Sequence, residues 1–393
     1  MRVLFATQPG HGHLNPMVPY ASTLRKAGHD VRFATAPTFC DAVQRLGFDA
    51  APVGIDFSWE RVTEAFPEMM TAAAQGSVRI NECALRIVWE NWTPQLVDDL
   101  LTLIRDWRPE LIVREAAELG ANLAGRVAEV PVVCASWGAP MLDPAWERHM
   151  PMELTWDGYA REARRLGVDE DARSALKAEL TLSTLPPSWM QAGDAPLGEV
   201  KHFRAPPQDR SDKAGLTPEL TQITRQRFVY ATLGTVHNAR HGLRKAMLAA
   251  LVELPVDVLF TTGPGIDLAR VKVPGENITL EPFVPQSLIV PHAALLVSHA
   301  GLGTIIGALY AGVPMVLISL ATDHPINAER AIAVGLARAL DGAECQSEPL
   351  RETILDALAD ENMRRRAAQV RQECFALPEI TTAVGVLEEY ANA

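Results

Sequence analysis

Positive charge is in deficit in this chain: 36 lysines and arginines stand against 48 aspartates and glutamates, a formal charge of −12. Nucleic-acid binding displaces counterions with basic side chains, and no basic cluster is present to do so, which excludes that class of partner. Cysteine is scarce as well. The five cysteines (40, 83, 134, 345 and 374) are odd in number, scattered and free of any CxxC pair. Buried free thiols in a reducing cytoplasm are expected, with neither a zinc site nor a disulfide framework. No apolar run is long enough and clean enough to cross a bilayer. The nearest, 288–320, is broken by Pro291, His292, His299, Pro314 and several glycines, and divides into strand, helix and strand. The opening Arg2-Val-Leu-Phe starts a strand and is too short for an export signal. A cytoplasmic protein with no membrane partner is expected. Internal repeats and low-complexity tracts are absent, and so is tryptophan after residue 189.

What is present is a globular composition, 48% apolar and 21% charged over 393 residues, too long for one ordinary core. Strand and helix patterns alternate in two halves, which implies α/β architecture with parallel sheets covered on both faces. The first half reads as a strand at 3–7, a helix at 15–27 and a strand at 30–34. Asn15 is placed as the N-cap, Pro16 in the first helical position and Gly28 at the stop. Further strands are expected at 111–113 and 132–135. The second half begins near Arg227, with strands at 228–232, 256–260, 278–280, 294–298 and 315–318. A proline-rich, polar stretch at 186–219 reads as a linker. Helices at 349–359, 361–376 and 379–390 close the chain. The implied division is an N-terminal domain at 1–205, a linker at 206–226, a C-terminal domain at 227–376 and a last helical segment at 377–393.

The most informative stretch runs from Phe283 to Asn327. It carries FVPQ, HAGLGT, AGVP and DHPINA in that order. An apolar strand leads into His299, and a glycine-rich turn then opens a helix near Leu302. Gly301 and Gly303 allow close backbone approach, and the first helical amides point outward with the positive end of the dipole. A diphosphate fits such a place without a metal. An ordinary strand–turn–helix crossover is the competing account of HAGLGT taken alone.

Near the start, the first strand ends in PGHGHLNP, residues 9–16. Ligands of an open parallel sheet gather beyond the C-terminal ends of its strands, so His11 and His13 are delivered to such a crevice. A neutral imidazole suits proton removal near pH 7. A dinucleotide fingerprint would need glycine where Asn15 stands and an acid near Ala34–Ala36. A metal site would need a further ligand that the sequence does not place nearby. Glu115 ends a later strand, where a carboxylate can hold the far nitrogen of an imidazole; an ordinary solvated acid is the alternative. The tryptophans and methionines crowded into the first half read as the wall of a wide apolar pocket, with Trp59, Met70, Trp92, Trp137, Met141 and Trp146 as its candidates. Core packing competes for the same residues.

Together these motifs resemble the metal-independent, inverting glycosyltransferases of the GT-B fold (the family 1 type), within them the actinomycete enzymes that tailor antibiotics, including the calicheamicin and other enediyne glycosyltransferases. The likeness spans the whole chain. It implies two Rossmann-like parallel-sheet domains facing each other across a cleft, with the C-terminal helix packing back on the first. It implies a nucleotide-sugar donor, a hydrophobic natural-product acceptor such as a polyketide, and no cofactor or metal. A homodimer is one assembly it allows. By position, His13 is the base that deprotonates the acceptor, and Glu115 stands where relatives commonly have aspartate. Phe283 replaces a tryptophan that stacks on the nucleobase, the Val284 backbone reads the base edge and Gln286 approaches the ribose. His299 and Thr304, with the amides around Gly301 and Gly303, hold the diphosphate, and Thr235 of the LGT turn touches it from the other side. Asp323 meets sugar hydroxyls, and His324 replaces the usual glutamine. Gly307 stands where many members have a glutamate that grips both ribose hydroxyls. Its loss matters least for a donor without a 2′-hydroxyl, so a dTDP-sugar is expected over a UDP-sugar. A GT-B sugar-nucleotide epimerase, and a non-catalytic nucleotide-sugar-binding partner of another transferase, are the alternatives.

Overall fold

A computed structural model describes the chain from Met1 to Ala393, except residues 179, 191–197, 206–214, 235–240, 253, 264, 272–274 and 344. Two compact units emerge: Met1–Ala205 with Leu377–Ala393, and Pro206–Ala376. Each is a parallel sheet with helices between its strands.

The first unit contains β1 (Arg2–Ala6), β2 (Asp30–Thr35), β3 (Asp49–Pro52), β4 (Leu111–Glu115), β5 (Val132–Ala135), β6 (Leu180–Ser183) and β7 (Val200–His202), in the spatial order β3-β2-β1-β4-β5-β6-β7. Val3 to Ala6 are wholly buried, as are Leu111 to Val113. Central parallel strands are covered on both faces, which is why these segments are continuous apolar runs with no alternation. From β1 the chain winds outward through β2 and β3, then returns to β4 on the other side of β1. That reversal opens a crevice beyond the C-terminal ends of β1 and β4. Register completes the placement: Ala6 pairs with Arg114, so Glu115 stands level with the start of the loop leaving β1.

The second unit repeats the plan with β8 (Phe228–Thr232), β9 (Asp257–Thr261), β10 (Ile278–Glu281), β11 (Leu295–Ser298), β12 (Met315–Ser319) and β13 (Ala337–Asp341), ordered β10-β9-β8-β11-β12-β13. Its reversal falls between β8 and β11, where Thr232 pairs with Ser298. Leu233-Gly234 and His299-Ala300 therefore leave the sheet side by side.

Three local expectations are corrected. The first helix does not begin at Asn15. His11–Leu14 forms one turn, and the regular helix runs Val18–Lys26. Pro16 lacks an N–H and its ring collides with the carbonyl four residues back, so the turn cannot continue through it. Asn15 has helical angles (φ −57°, ψ −40°) and donates its amide to the His11 carbonyl, closing the short turn rather than capping a helix. The stretch read as a linker at 186–219 is structured where it is described. It holds the turn Pro187–Met190, with Trp189 fully buried, the edge strand β7 and a helix, Pro218–Ile223, capped by Thr217 Oγ1. Pro187 and Pro218 sit in first helical positions, where a missing N–H costs nothing. Strands β3, β6, β7 and β13 were not anticipated; they are short edge or near-edge strands with weak apolar patterning.

The last segment belongs to the first unit. Helix Ala383–Ala391 buries Ala383 and Leu387 in that unit's core. The Tyr390 hydroxyl donates to the Val132 carbonyl at 3.1 Å, and Glu388 pairs with His29 at 3.1 Å. This is the return of the C-terminal helix to the N-terminal domain. Cys40, Cys134 and Cys374 are buried and all five cysteines are free thiols. Among the described residues no helix is long and apolar enough to cross a membrane.

Candidate active site

His13 lies in the short turn after β1, and its Nδ1 is 3.0 Å from Oε1 of Glu115 at the end of β4. The imidazole is 24% exposed and the carboxylate fully buried. Glu115 also accepts from the indole N–H of Trp137 and, at 2.6 Å, from the Ala117 amide. Burial by itself pushes the Glu115 pKa up. The adjacent His13, the Trp137 indole and the Ala117 amide outweigh it and hold the group below the usual carboxylate range. An ionised carboxylate only accepts, so Nδ1 of His13 carries a proton, and in the neutral ring Nε2 holds the lone pair. A neutral imidazole anchored at Nδ1 in this way can take a proton at Nε2.

A second buried acid stands beside this pair. Glu118 is 1% exposed, its amide donates to the Glu115 carbonyl at 3.1 Å, and its Oε2 accepts from the Trp92 indole at 2.8 Å. Burial, reinforced by the neighbouring Glu115 charge, pushes its pKa up to about 8. Two carboxyls three residues apart are thus held in opposite states near neutral pH. The other histidine of the turn is tied differently: one Glu60 oxygen accepts from the His11 amide at 2.8 Å and lies 3.0 Å from its Nδ1. Trp59 fastens the same segment, donating its amide to the Pro9 carbonyl at 2.8 Å and its indole N–H to Gln8 at 3.0 Å.

The six candidate acceptor residues separate here. Trp59 is partly exposed and lies against Gly10, where an added Cβ would meet both Trp59 and His13 at 3.2 Å. Met141 lines a small cavity with Arg114, Ser136 and Pro140 at the ends of β4 and β5. Trp92 is corrected: it is fully buried, packs edge-on against Phe57 and would clash with any side chain at Gly54, so it is core. Met70 is corrected too, being 65% exposed on helix Glu68–Ala74 rather than set in a pocket. Trp137 and Trp146 are nearly buried and stack edge-on in series behind His13, at 5.7 and 6.0 Å between ring centres. Trp137 serves Glu115 through its N–H. Strand-end position made His13 and Glu115 legible; the roles of Glu118, Glu60 and Trp137 depend on turns that no periodicity announces.

In the second unit His299 follows β11 and helix Leu302–Ala311 opens three residues later, with Gly301 as its N-cap, which offers no side-chain cap to the first amides. Those amides and the dipole make an anion-binding end. A Cβ at Gly234 would lie 2.5 Å from the His299 ring, and one at Gly301 2.4 Å from its Nε2. Gly301 was expected to admit a ligand; its first duty is to admit the imidazole. Gly303 is exposed and faces open space, and Thr304 is buried in the first turn. His324, 5% exposed, packs edge-on against His299 at 5.0 Å. Asp323 precedes helix His324–Ala333 and accepts from Asn327 and Thr322. Phe283 is 56% exposed, Val284 is buried, and Gln286 begins the turn Gln286–Ile289. At Gly307 an added Cβ meets nothing within 4 Å. Thr235 lies outside the described residues.

Comparison with known proteins follows the same outline. The model of the erythromycin biosynthesis protein CIII-like N-terminal domain matches residues 22–195, and that of its C-terminal domain matches 245–390. The chain is 26% identical over 422 residues to tylactone mycaminosyltransferase of Streptomyces fradiae, covering 99% of this chain and 92% of the relative. Among solved structures, the glycosyltransferase VinC in complex with dTDP superposes with a TM-score of 0.76 at 25% identity, covering all of both chains. CalG4, the calicheamicin glycosyltransferase, gives 0.77 at 21%, covering 100% of this chain and 98% of that one.

Proposed function

The chain belongs to the erythromycin biosynthesis protein CIII-like family of GT-B glycosyltransferases, and from that premise we propose that it moves a sugar, a deoxysugar in the simplest reading, from a dTDP-sugar to a hydrophobic natural-product aglycone with inversion at the anomeric carbon. The observation that carries this is the His13–Glu115 pair at the crevice of the first sheet.

The chemistry runs as one displacement. His13 Nε2 takes the proton of the acceptor hydroxyl as its oxygen attacks the anomeric carbon. The bond to the diphosphate breaks on the opposite face, and its electron pair leaves with dTDP. Glu115 keeps His13 in the reactive tautomer and steadies the imidazolium that forms. Growing charge on the leaving diphosphate is met by His299 and the first amides of helix Leu302–Ala311, a preorganised electrostatic role that requires no metal. Exposed Phe283 offers a face for the nucleobase, and Asp323 accepts from sugar hydroxyls. Trp59 and Met141 remain the acceptor-side candidates.

The empty space at Gly307 supports the donor assignment, because no side chain there grips a ribose 2′-hydroxyl. Calorimetry with dTDP and UDP tests it: tighter binding of dTDP is expected, and clear preference for UDP would refute it. Mass spectrometry of mixtures of dTDP-sugars with polycyclic and macrocyclic polyketide aglycones tests the transfer itself.

A further inference from the structure

We infer that Asn327 is a positioning residue that ties the Asp323 carboxylate to the turn behind His299, so that the orientation of the sugar-binding carboxylate rests on one buried amide. The inference deepens the donor-site reading above and rests on it. Asn327 lies in the first turn of helix His324–Ala333 and is 1% exposed. Its Nδ2 donates to the Ala300 carbonyl at 3.1 Å and to Asp323 Oδ2 at 2.7 Å. Both partners only accept, so the amide must present its nitrogen; the opposite orientation would set oxygen against two oxygens. Thr322 Oγ1 is shared between the Ala321 carbonyl at 2.8 Å and the other carboxylate oxygen at 3.1 Å.

The two loops joined in this way are under backbone strain. Ala300 has φ +63° and Thr322 has φ +55°, a left-handed conformation that is disfavoured for a residue bearing a Cβ. Ala300 separates His299 from the N-cap Gly301, and Thr322 immediately precedes Asp323. Such conformations persist where surrounding bonds over-determine them, and the Asn327 side chain bonds to both loops. Without it the Asp323 carboxylate loses its 2.7 Å hydrogen bond, and the oxygens that accept sugar hydroxyls are freer to rotate.

The test is calorimetry with dTDP and dTDP-glucose on wild type, Asn327→Ala, Asp323→Ala and the double variant. The readout is the ratio of the two dissociation constants, which isolates the sugar's share. Wild type is expected to prefer dTDP-glucose by about tenfold, in line with a charged hydrogen bond or two. Each single variant should lose most of that ratio while its dTDP affinity stays within about twofold of wild type, and the double variant should lose no more than either, since the two side chains act as a unit. Asn327→Ser, too short to serve both partners, should behave like Asn327→Ala if the alanine variant does not fold. A full loss at Asp323 with an unchanged ratio at Asn327, or equal loss of dTDP and dTDP-glucose affinity at Asn327, overturns the inference and leaves the donor site standing. No dependence on Asp323, or a wild-type chain that binds dTDP-glucose no better than dTDP, overturns the sugar-site reading and the inference with it.

Discussion

At the scale of single residues, the most testable consequence is the pairing of two buried acids in opposite states. Glu118 keeps its proton in the folded chain up to about pH 8, while an unfolded chain releases it near the ordinary glutamate value of about 4.3. Between those values the folded state binds more protons, so stability falls as pH rises across that window. Glu118→Gln keeps the shape and removes the titration. Denaturant unfolding at pH 5, 7 and 9 should show the variant gaining on wild type as pH climbs; parallel curves would contradict the placement of Glu118. Glu115 acts in the other direction, because its folded pKa is depressed. Its stabilisation is complete above the unfolded value and disappears as pH falls through the folded one. His13 and Glu115 were readable because both sit at strand ends. The distance between positions 115 and 118 was not, since it depends on the turn that brings the Glu118 amide back to the Glu115 carbonyl.

Among the elements, glycines decide the fit. Helix Glu153–Leu166 crosses the π-helical turn Ile87–Trp92 at Gly158, where a Cβ would fall 2.4 Å from the Trp89 ring. Gly158→Ala gains about 0.5–1 kcal/mol in helix propensity and loses about 1–3 kcal/mol to overpacking of a buried indole. Net destabilisation is expected in urea titrations, and a stabilised variant would show that the two helices yield. The same reasoning applies to His299. Gly301→Ala should push the ring from its slot and weaken dTDP binding by ~10-fold, the order that ~1–3 kcal/mol of steric displacement implies; unchanged calorimetric affinity would remove His299 from the clamp. Periodicity and glycine punctuation located β11, helix Leu302–Ala311 and β12 almost to the residue. The first helix was misplaced because Asn15-Pro16 mimics a cap, although the motif there closes a tight turn. The tryptophan-rich wall was only partly legible, since composition does not distinguish an indole buried as scaffold, such as Trp92, from one beside the turn that carries His13, such as Trp59.

For the whole chain, alternating apolar strands and helices made two parallel sheets legible from sequence, and the order of motifs assigned one binding task to each. The last 17 residues complete the first unit, since Leu387 and Ala383 fill its core. Deleting residues 377–393 should lower the thermal midpoint of that unit well beyond what loss of a surface tail would cause, as followed by tryptophan fluorescence, because all eight tryptophans lie there. An unchanged midpoint would contradict that packing. Removal of the acceptor proton by His13, for a sugar carried on dTDP, is tested most directly by the turnover of His13→Ala against wild type on any donor–aglycone pair that yields product, with dTDP affinity measured on the same samples. A fall of ~10²–10⁴-fold with dTDP binding unchanged is expected. Turnover close to wild type would contradict it.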